Sequence, residues 1–352
     1  MKKLISLIIS LATLTAVIQS LVSCSSAERF TKSSFDYFDT VTTVIGYAED
    51  KEEFNEVASY VFDELEEYHK LYDIYKRYDG INNLATVNSV ENGEHATVKV
   101  DKKIIDMLLY AKEAYYLTGG YVNVAMGSVL SLWHDHRTIG MDDPSSATLP
   151  DTAALLEAAK HTNIECIVVD ETESTVTITD GKARLDVGAI AKGYTVEMIA
   201  KSLEARGITG YVLNVGGNVR TIGVREDGEA WTVGVENPLK DGKEEYVAYL
   251  GLKGEALVSS GSYQRYYIVD GVRYHHIIDK DTLMPSDKGY ASVSIITKDS
   301  ALGDALSTAL FCMEKEAGLE LIKALPDVEA MWVMKDGTKH YSMGFLAFEK
   351  AQ

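Results

Sequence analysis

The stretch Asp186-Val187-Gly188-Ala189-Ile190-Ala191-Lys192-Gly193-Tyr194 sets the reading of the chain. An acidic side chain, small turn-permissive residues and a lysine separate an apolar run, Ala183–Val187, from a helical pattern, Lys192–Ala205, that Gly207 closes. The spacing predicts a strand running into a helix. Backbone N–H groups at a helix N-terminus are free to meet anionic oxygen, Lys192 adds a positive charge, and carbonyls exposed in such a turn can bind a hard cation. A plain strand-to-helix connection fits the same residues, because short glycine motifs recur widely.

Upstream of this stretch, Phe35–Tyr47 reads as a strand and Glu52 to about Lys76 as a long helix with Phe54, Val57, Val61, Leu65 and Tyr68 at helical spacing. Asp101 is suited to cap a second helix that Gly119-Gly120 ends, and a third starts near Pro150-Asp151. Ile164–Asp170 and Ser174–Thr179 read as a hairpin. Downstream the chain is mostly strands: Gly210–Val215, Val219–Val224, Trp231–Val235, Tyr246–Leu252, Gln264–Val269, Arg273–Ile278 and Ala291–Thr297. A helix over Ser300–Met313, a short one near Ala317–Leu325, and strands at Val328–Met334 and Gly344–Phe348 complete the pattern. Helices early and strands late predict an α+β fold, with mixed or antiparallel sheets flanked by helices.

The chain has 352 residues, 46% of them hydrophobic, and only 5 prolines, enough apolar material for a large core without a low-complexity tract. Its 34 basic and 53 acidic residues give a net charge of -19, which argues against nucleic acid as a partner. An anionic ligand would meet an unfavourable average field, so local cations or a divalent metal are needed to hold one. Lys2 and Lys3, the apolar run Leu4–Val22, and Ser23-Cys24-Ser25 match a bacterial lipoprotein signal, with cleavage before Cys24 and lipid on its thiol. A single membrane-spanning helix is the other reading of that run. The expected organisation is a signal peptide over 1–23, a tether over 24–34 and one folded domain over 35–352, held outside the cytoplasm at a bacterial membrane. Cys166 and Cys312 read as buried free thiols in preference to a disulfide.

Four further blocks carry chemistry. Asp304 and Thr308 are four residues apart, and Ser307 three from Asp304, so all three share one helix face amid Ala301, Leu302, Ala305 and Leu306. A carboxylate buried there is costly unless paired or bound to metal, and Asp and Thr oxygens suit Mg²⁺. An ordinary salt bridge for Asp304 and back-bonded hydroxyls for the others fit equally well. Ser259-Ser260-Gly261-Ser262-Tyr263-Gln264-Arg265 offers a hydroxyl-bearing turn and an arginine. In Tyr274-His275-His276-Ile277-Ile278-Asp279 the two histidines point to opposite faces of a strand, so at most one serves a given site. Zinc is disfavoured, since no Cys pair or HExxH accompanies them. Asn214-Val215-Gly216-Gly217-Asn218 is a hairpin turn or a place where backbone meets a ligand.

In this order the blocks resemble the ApbE family, the FAD:protein FMN transferases. The family's D-x-G-x-x-x-K-G-Y/F pattern is met by Asp186, Gly188, Lys192, Gly193 and Tyr194, its N-x-G-G-D/N by Asn214, Gly216, Gly217 and Asn218, and its S-G-x-Y-x-R by Ser260, Gly261, Tyr263 and Arg265. Its H-I-I-D segment is similar to His276–Asp279 and its D-A-x-x-T helix to Asp304–Thr308. The resemblance implies an ApbE-like fold and an enzyme that uses Mg²⁺ to move FMN from FAD onto a Thr or Ser hydroxyl of a target protein, releasing AMP. It implies Asp304, Ser307, Thr308 and the Ala189 carbonyl as metal ligands. It implies flavin-nucleotide contacts at Phe38, Tyr75, Tyr121, Val122, Asn123, Asp186, Lys192 and Ile278, with His276 and Asp304 as catalytic residues. Phe38 stands where relatives carry Met, Asn123 where Asp is commoner, and Lys280 and Leu283 replace the usual Pro and Gly; none of these removes a metal ligand. The implied partners are FAD, extracytoplasmic electron-transfer proteins with FMN-binding domains, and the membrane through the lipid anchor. The chain lacks a D-G-x-S/T-G-A-T acceptor segment of its own. Two other activities share these residues: an FAD pyrophosphatase that uses water, and a non-catalytic flavin-binding lipoprotein.

Overall fold

The computed structural model describes residues 27–350 apart from 92, 93, 241 and 243. The signal segment, Cys24 and the first residues of the tether lie outside the described residues. Among those described, no helix is long and apolar enough to cross a membrane.

The chain opens with β1 (Glu28–Tyr37) and β2 (Thr40–Ala48), then the long helix α1 (Lys51–Tyr72) and the single turn α2 (Leu84–Val87). Short strands β3 (Val90–Glu91), β4 (Glu94–His95) and β5 (Val98–Lys99) lead to α3 (Lys102–Leu117), α4 (Gly127–Asp142) and α5 (Thr152–Ala158). The hairpin β6 (Ile167–Asp170) and β7 (Thr175–Ile178) precedes α6 (Ala191–Ala205). Strands β8 (Tyr211–Val215), β9 (Asn218–Ile222), β10 (Trp231–Glu236), β11 (Tyr246–Leu252), β12 (Ala256–Gly261), β13 (Tyr266–Val269), β14 (Val272–His275) and β15 (Tyr290–Thr297) follow. Then come α7 (Ser300–Cys312), α8 (Lys315–Lys323), β16 (Glu329–Met334) and β17 (Lys339–Tyr341).

The centre is an eight-stranded sheet in the order β1-β2-β8-β9-β12-β15-β16-β17, every neighbouring pair antiparallel. Successive residues of a strand point to opposite faces, so the sheet buries one set of side chains on each side. On one face the main core joins Leu213, Val293 and Ile295 to α1, α3, α6 and α7. On the other, Leu257, Ile296 and Met331 pack beneath the β10–β11 hairpin with Trp231 and Leu250. A satellite core gathers Trp133 of α4 against Tyr267, Ile278 and Leu283. Cys166 and Cys312 are buried free thiols, as their apolar surroundings predict.

Local chemistry explains most boundaries. The Asp101 carboxylate accepts from Lys103 N–H at the start of α3, and Asp151 caps α5 in the same way. Gly119 and Gly207 stop their helices at φ +62° and +75°, a conformation costly for other residues.

Several expectations need correction. Residues 28–34, read as tether, belong to β1; their sequence is polar and mostly exposed, and the ladder to β2 (Glu28↔Ala48 through Ser34↔Thr42) holds them together with the stacking of Phe30 on Phe54 of α1. The single strand expected over Phe35–Tyr47 is interrupted by a turn at Phe38 and Asp39, both at positive φ without a glycine to announce it. Ala183–Val187 is extended but makes only one bridge, Arg184 to Met126. Its other bonds go to loops: Leu185 N–H donates to Asn88 Oδ1, and Asp186 N–H to the Val124 carbonyl. Helix α4 differs from expectation: no side chain caps it, and its apolar face is short, Val129, Leu130 and Trp133, before the polar His-Asp-His-Arg run. Gly344–Phe348 contains a 3₁₀ turn in place of a strand, and the central β12 went unread.

Helices α6 and α7 meet where Gly193 faces Asp304. A Cβ on Gly193 would sit 2.4 Å from Asp304 Cβ and 2.5 Å from the Ser300 carbonyl oxygen, backbone that cannot step aside. Gly193→Ala should therefore cost roughly 1–3 kcal/mol, the usual range for overpacking. Thermal unfolding checks this, and an unchanged melting temperature would mean that the two helices part freely.

Candidate active site

The α6–α7 junction holds the first part of the site. Asp304 is 4% exposed, and its Oδ2 accepts from Gly193 N–H at 2.8 Å while Lys192 Nζ lies 3.6 Å from Oδ1. Burial pushes its carboxyl above the ordinary range, against the pull of Lys192 and the Gly193 N–H. Regular i→i−4 geometry would direct the Gly193 N–H at the Ala189 carbonyl. It is turned to Asp304 instead, which leaves the Ala189 oxygen without that partner. One turn along α7, Ser307 Oγ donates to the Asp304 carbonyl at 3.0 Å and lies 2.8 Å from Ser260 Oγ. Ser260 Oγ is also 3.4 Å from Thr308 Oγ1. Asp304, Ser307 and Thr308 thus converge as their spacing predicts, joined by Ser260 from β12.

These donors are all oxygen: one carboxylate, three hydroxyls and one carbonyl. Such a set fits Mg²⁺, which takes hard oxygen ligands and retains waters. Among the described residues no group of three His, Cys, Asp or Glu is placed to hold a metal.

A second group lies around His276. Its backbone N–H donates to the Arg265 carbonyl at 3.1 Å, and its Nδ1 lies 3.2 Å from the same oxygen. A carbonyl only accepts, so Nδ1 carries the proton and Nε2 keeps its lone pair. Burial, then the charges of Arg265 and Arg137, push its pKa down to about 3. Tyr75, 65% exposed, stacks on His134 with ring centroids 4.8 Å apart. Arg137 donates from Nη2 to His134 Nδ1 at 3.1 Å, so its partner is a ring nitrogen and not a carboxylate. Burial pushes the Asp186 carboxyl up; its Oδ1 accepts from Gly188 N–H at 2.9 Å, and His134 and Arg137 pull the other way. Although the Tyr75 side chain as a whole is largely exposed, partial loss of water around its phenol first and the Asp186 charge second push that group up to about 12.

Sequence reading missed His134 and Arg137. They are three apart, hence on one face of α4, and a His-x-x-Arg pair was the available signal. Arg265 had been noted only as part of a motif.

The remaining expected contacts are placed around this centre. Phe38 sits at the β1–β2 turn, its ring edge-on to His69 at 5.5 Å. Tyr121 OH reaches Asp281 Oδ2 at 3.4 Å, with the Lys280 ammonium 4.6 Å from its ring centroid. Asn123 lines a cavity of about 210 Å³ with Lys280, Asp281 and Leu283, but its amide is engaged by the Thr162 carbonyl and Ala125 N–H. Val122 and Ile278 are buried, 1% and 7% exposed, so only their backbone can meet a ligand directly.

Residues 38–332 match the model of the ApbE family. The FAD:protein FMN transferase of Klebsiella pneumoniae (strain 342) is 31% identical over 276 residues, covering 76% of this chain and 82% of that protein. That of Treponema pallidum (strain Nichols) is 31% identical over 264 residues, 71% of each. The crystal structure of the ApbE protein from Thermotoga maritima superposes with a TM-score of 0.78 at 26% identity, over 92% of this chain and 100% of that one. The flavin transferase ApbE from Vibrio cholerae gives 0.74 at 23% identity, over 92% and 99%, a likeness of fold.

With its pKa below that of an unfolded histidine, His276 binds its proton less readily than the unfolded chain does. Its contribution to stability is complete above about pH 6.5 and is lost as pH falls toward 3. Replacing Arg137 by Met removes one cation and should raise the His276 titration. Proton NMR of the ligand-free protein reads this directly, and an unmoved His276 resonance would show that the Arg137 charge does not reach it.

Proposed function

The chain belongs to the ApbE family, and from that premise we propose that it is a Mg²⁺-dependent FAD:protein FMN transferase, joining FMN to a Thr or Ser hydroxyl of another protein and releasing AMP. The observation that carries this reading is the cluster of Asp304, Ser307, Thr308 and Ser260 at the α6 N-terminus, which suits a diphosphate with its counter-ion. Mg²⁺ would be held by Asp304, Ser307, Thr308 and the Ala189 carbonyl, supplying charge that stabilises the phosphoryl oxygens and the departing AMP.

The chain's own residues do the rest. Lys192, Arg137 and Arg265 offset the negative field of a protein of net charge -19 where FAD must bind. Phe38, Tyr75, Asp186 and Ile278, with the Tyr121-Val122-Asn123 backbone, would contact the flavin nucleotide. The acceptor hydroxyl attacks the FMN phosphorus. A new O–P bond forms as the diphosphate P–O bond to AMP breaks, and His276 Nε2 takes the hydroxyl proton, as a base weakened by burial and by the two arginines until an anionic substrate offsets their charge. The neutral state of His276 leaves that lone pair available. Lipidation at Cys24 would tether the enzyme outside the cytoplasm, beside membrane electron-transfer proteins with FMN-binding domains.

The test is incubation with FAD, Mg²⁺ and a protein domain carrying Asp-Gly-Xaa-Thr-Gly-Ala-Thr, read by mass. Acceptor-bound FMN supports transfer; free FMN and AMP with unmodified acceptor would make the enzyme a pyrophosphatase instead. Asp304→Ala should abolish Mg²⁺-dependent transfer while FAD binding partly survives, and full activity in that variant would refute the metal assignment.

A further inference from the structure

The face of the sheet opposite Asp304 carries a cleft of about 790 Å³, within the roughly 300–1,000 Å³ typical of ligand sites. It lies between the sheet and the β10–β11 hairpin, and no residue assigned above to FAD or the metal lines it. Three chain segments nevertheless belong to both places. Thr40 lines the cleft while Phe38, two residues back, stands at the expected flavin contact. Ser259 lines the cleft while Ser260 bonds to Ser307. Gln264 lines the cleft while the Arg265 carbonyl holds His276. Cleft and active site are therefore back to back, sharing the β1–β2 turn, the end of β12 and the loop after it.

At the β8–β9 turn, Gly216 packs against Thr40, where a Cβ would come within 2.4 Å of the hydroxyl oxygen. Gly217, at φ +84°, has no atom within 4 Å of where its Cβ would stand. This lip is bare backbone open to solvent. A displacement at phosphorus needs its nucleophile opposite the leaving group, so a transferase requires a second approach besides the nucleotide's.

We propose that this cleft receives the acceptor protein, whose hydroxyl-bearing segment crosses the Gly216-Gly217 lip to reach the phosphorus; the proposal rests on the transfer reading above. The lining favours a polypeptide over another nucleotide. Asn214, Asn237, Ser259 and Gln264 are neutral; each already bonds within the protein, to Gly217, Glu244, Ser294 and Glu236, and an entering main chain would meet the donors and acceptors they have left. Glu244 and Glu245 add negative charge, and Lys240 is already paired with Glu236 at 3.3 Å, so a phosphate would be repelled.

Val41→Trp is the test, because Val41 is 45% exposed on the cleft floor and its backbone bond to Gly216 is unaffected by the side chain. With the acceptor domain described above, KM for the acceptor should rise roughly tenfold or more, the scale of one lost anchoring contact. The FAD dissociation constant, read from flavin fluorescence, should stay at the wild-type value. Glu244→Lys/Glu245→Lys provides a second variant whose side chains are exposed and whose folding is not at issue; it should change acceptor KM without moving FAD affinity. Unchanged acceptor KM in both variants overturns the proposal, as does weakened FAD binding in Val41→Trp, which would assign the cleft to the nucleotide. Wild-type enzyme that binds FAD but never modifies the acceptor would instead remove the transfer reading itself.

Discussion

The site depends on one buried carboxylate. Asp304 lies between two helices with a backbone N–H on one oxygen and an ammonium near the other. Its burial is unfavourable without such partners, and the pair it has does not bring its carboxyl back to the ordinary range. Gly193 makes the arrangement possible, since any side chain there would occupy the space of the carboxylate's own Cβ. The contact that packs α6 against α7 is thus also the one that leaves the Ala189 carbonyl without its helical donor. Packing and ligand binding are set by a single close approach, and the site cannot be loosened without loosening the core beneath it.

Charge is organised against the average of the molecule. A chain with 53 acidic and 34 basic residues repels anions at long range. Around His276 and Tyr75 the local balance is reversed by Arg137, Arg265 and, on the other side of the Asp186 turn, Lys192. Burial first and the arginines second also disfavour protonation of two imidazoles: Arg137 acts on His134, and Arg265 and Arg137 on His276. The same side chains thus suit an anionic substrate and preserve a lone pair beside it.

Much of this was legible in the sequence wherever the signal was local. Asp101 announces α3, the apolar Ser300–Cys312 run announces a buried α7, and the four-residue step from Asp304 to Thr308 already places both on one face. What stayed hidden depends on tertiary pairing. Residues 28–34 have no hydrophobic alternation and become a strand because β2 offers a ladder and α1 offers Phe54 to stack on Phe30. Ser260 was read as part of a turn, yet it is a strand residue whose partner sits 47 positions away on α7. Helix α4 lacks a side-chain cap and has only a short apolar face ending at Trp133, so its pattern gives out where His134 and Arg137 stand. The family motifs include Lys192, Arg265 and the hydroxyls that converge on Asp304, but not His134 or Arg137.

Strand β12 has a further consequence. Ser259 bonds to Ser294 on the face of the hairpin, and Ser260 turns to α7. Because side chains alternate strictly, one inserted or deleted residue in this strand would exchange the two hydroxyls between faces. Its length is therefore fixed by the two faces it serves. In related chains β12 should keep a fixed residue count while the loops at either end grow and shrink.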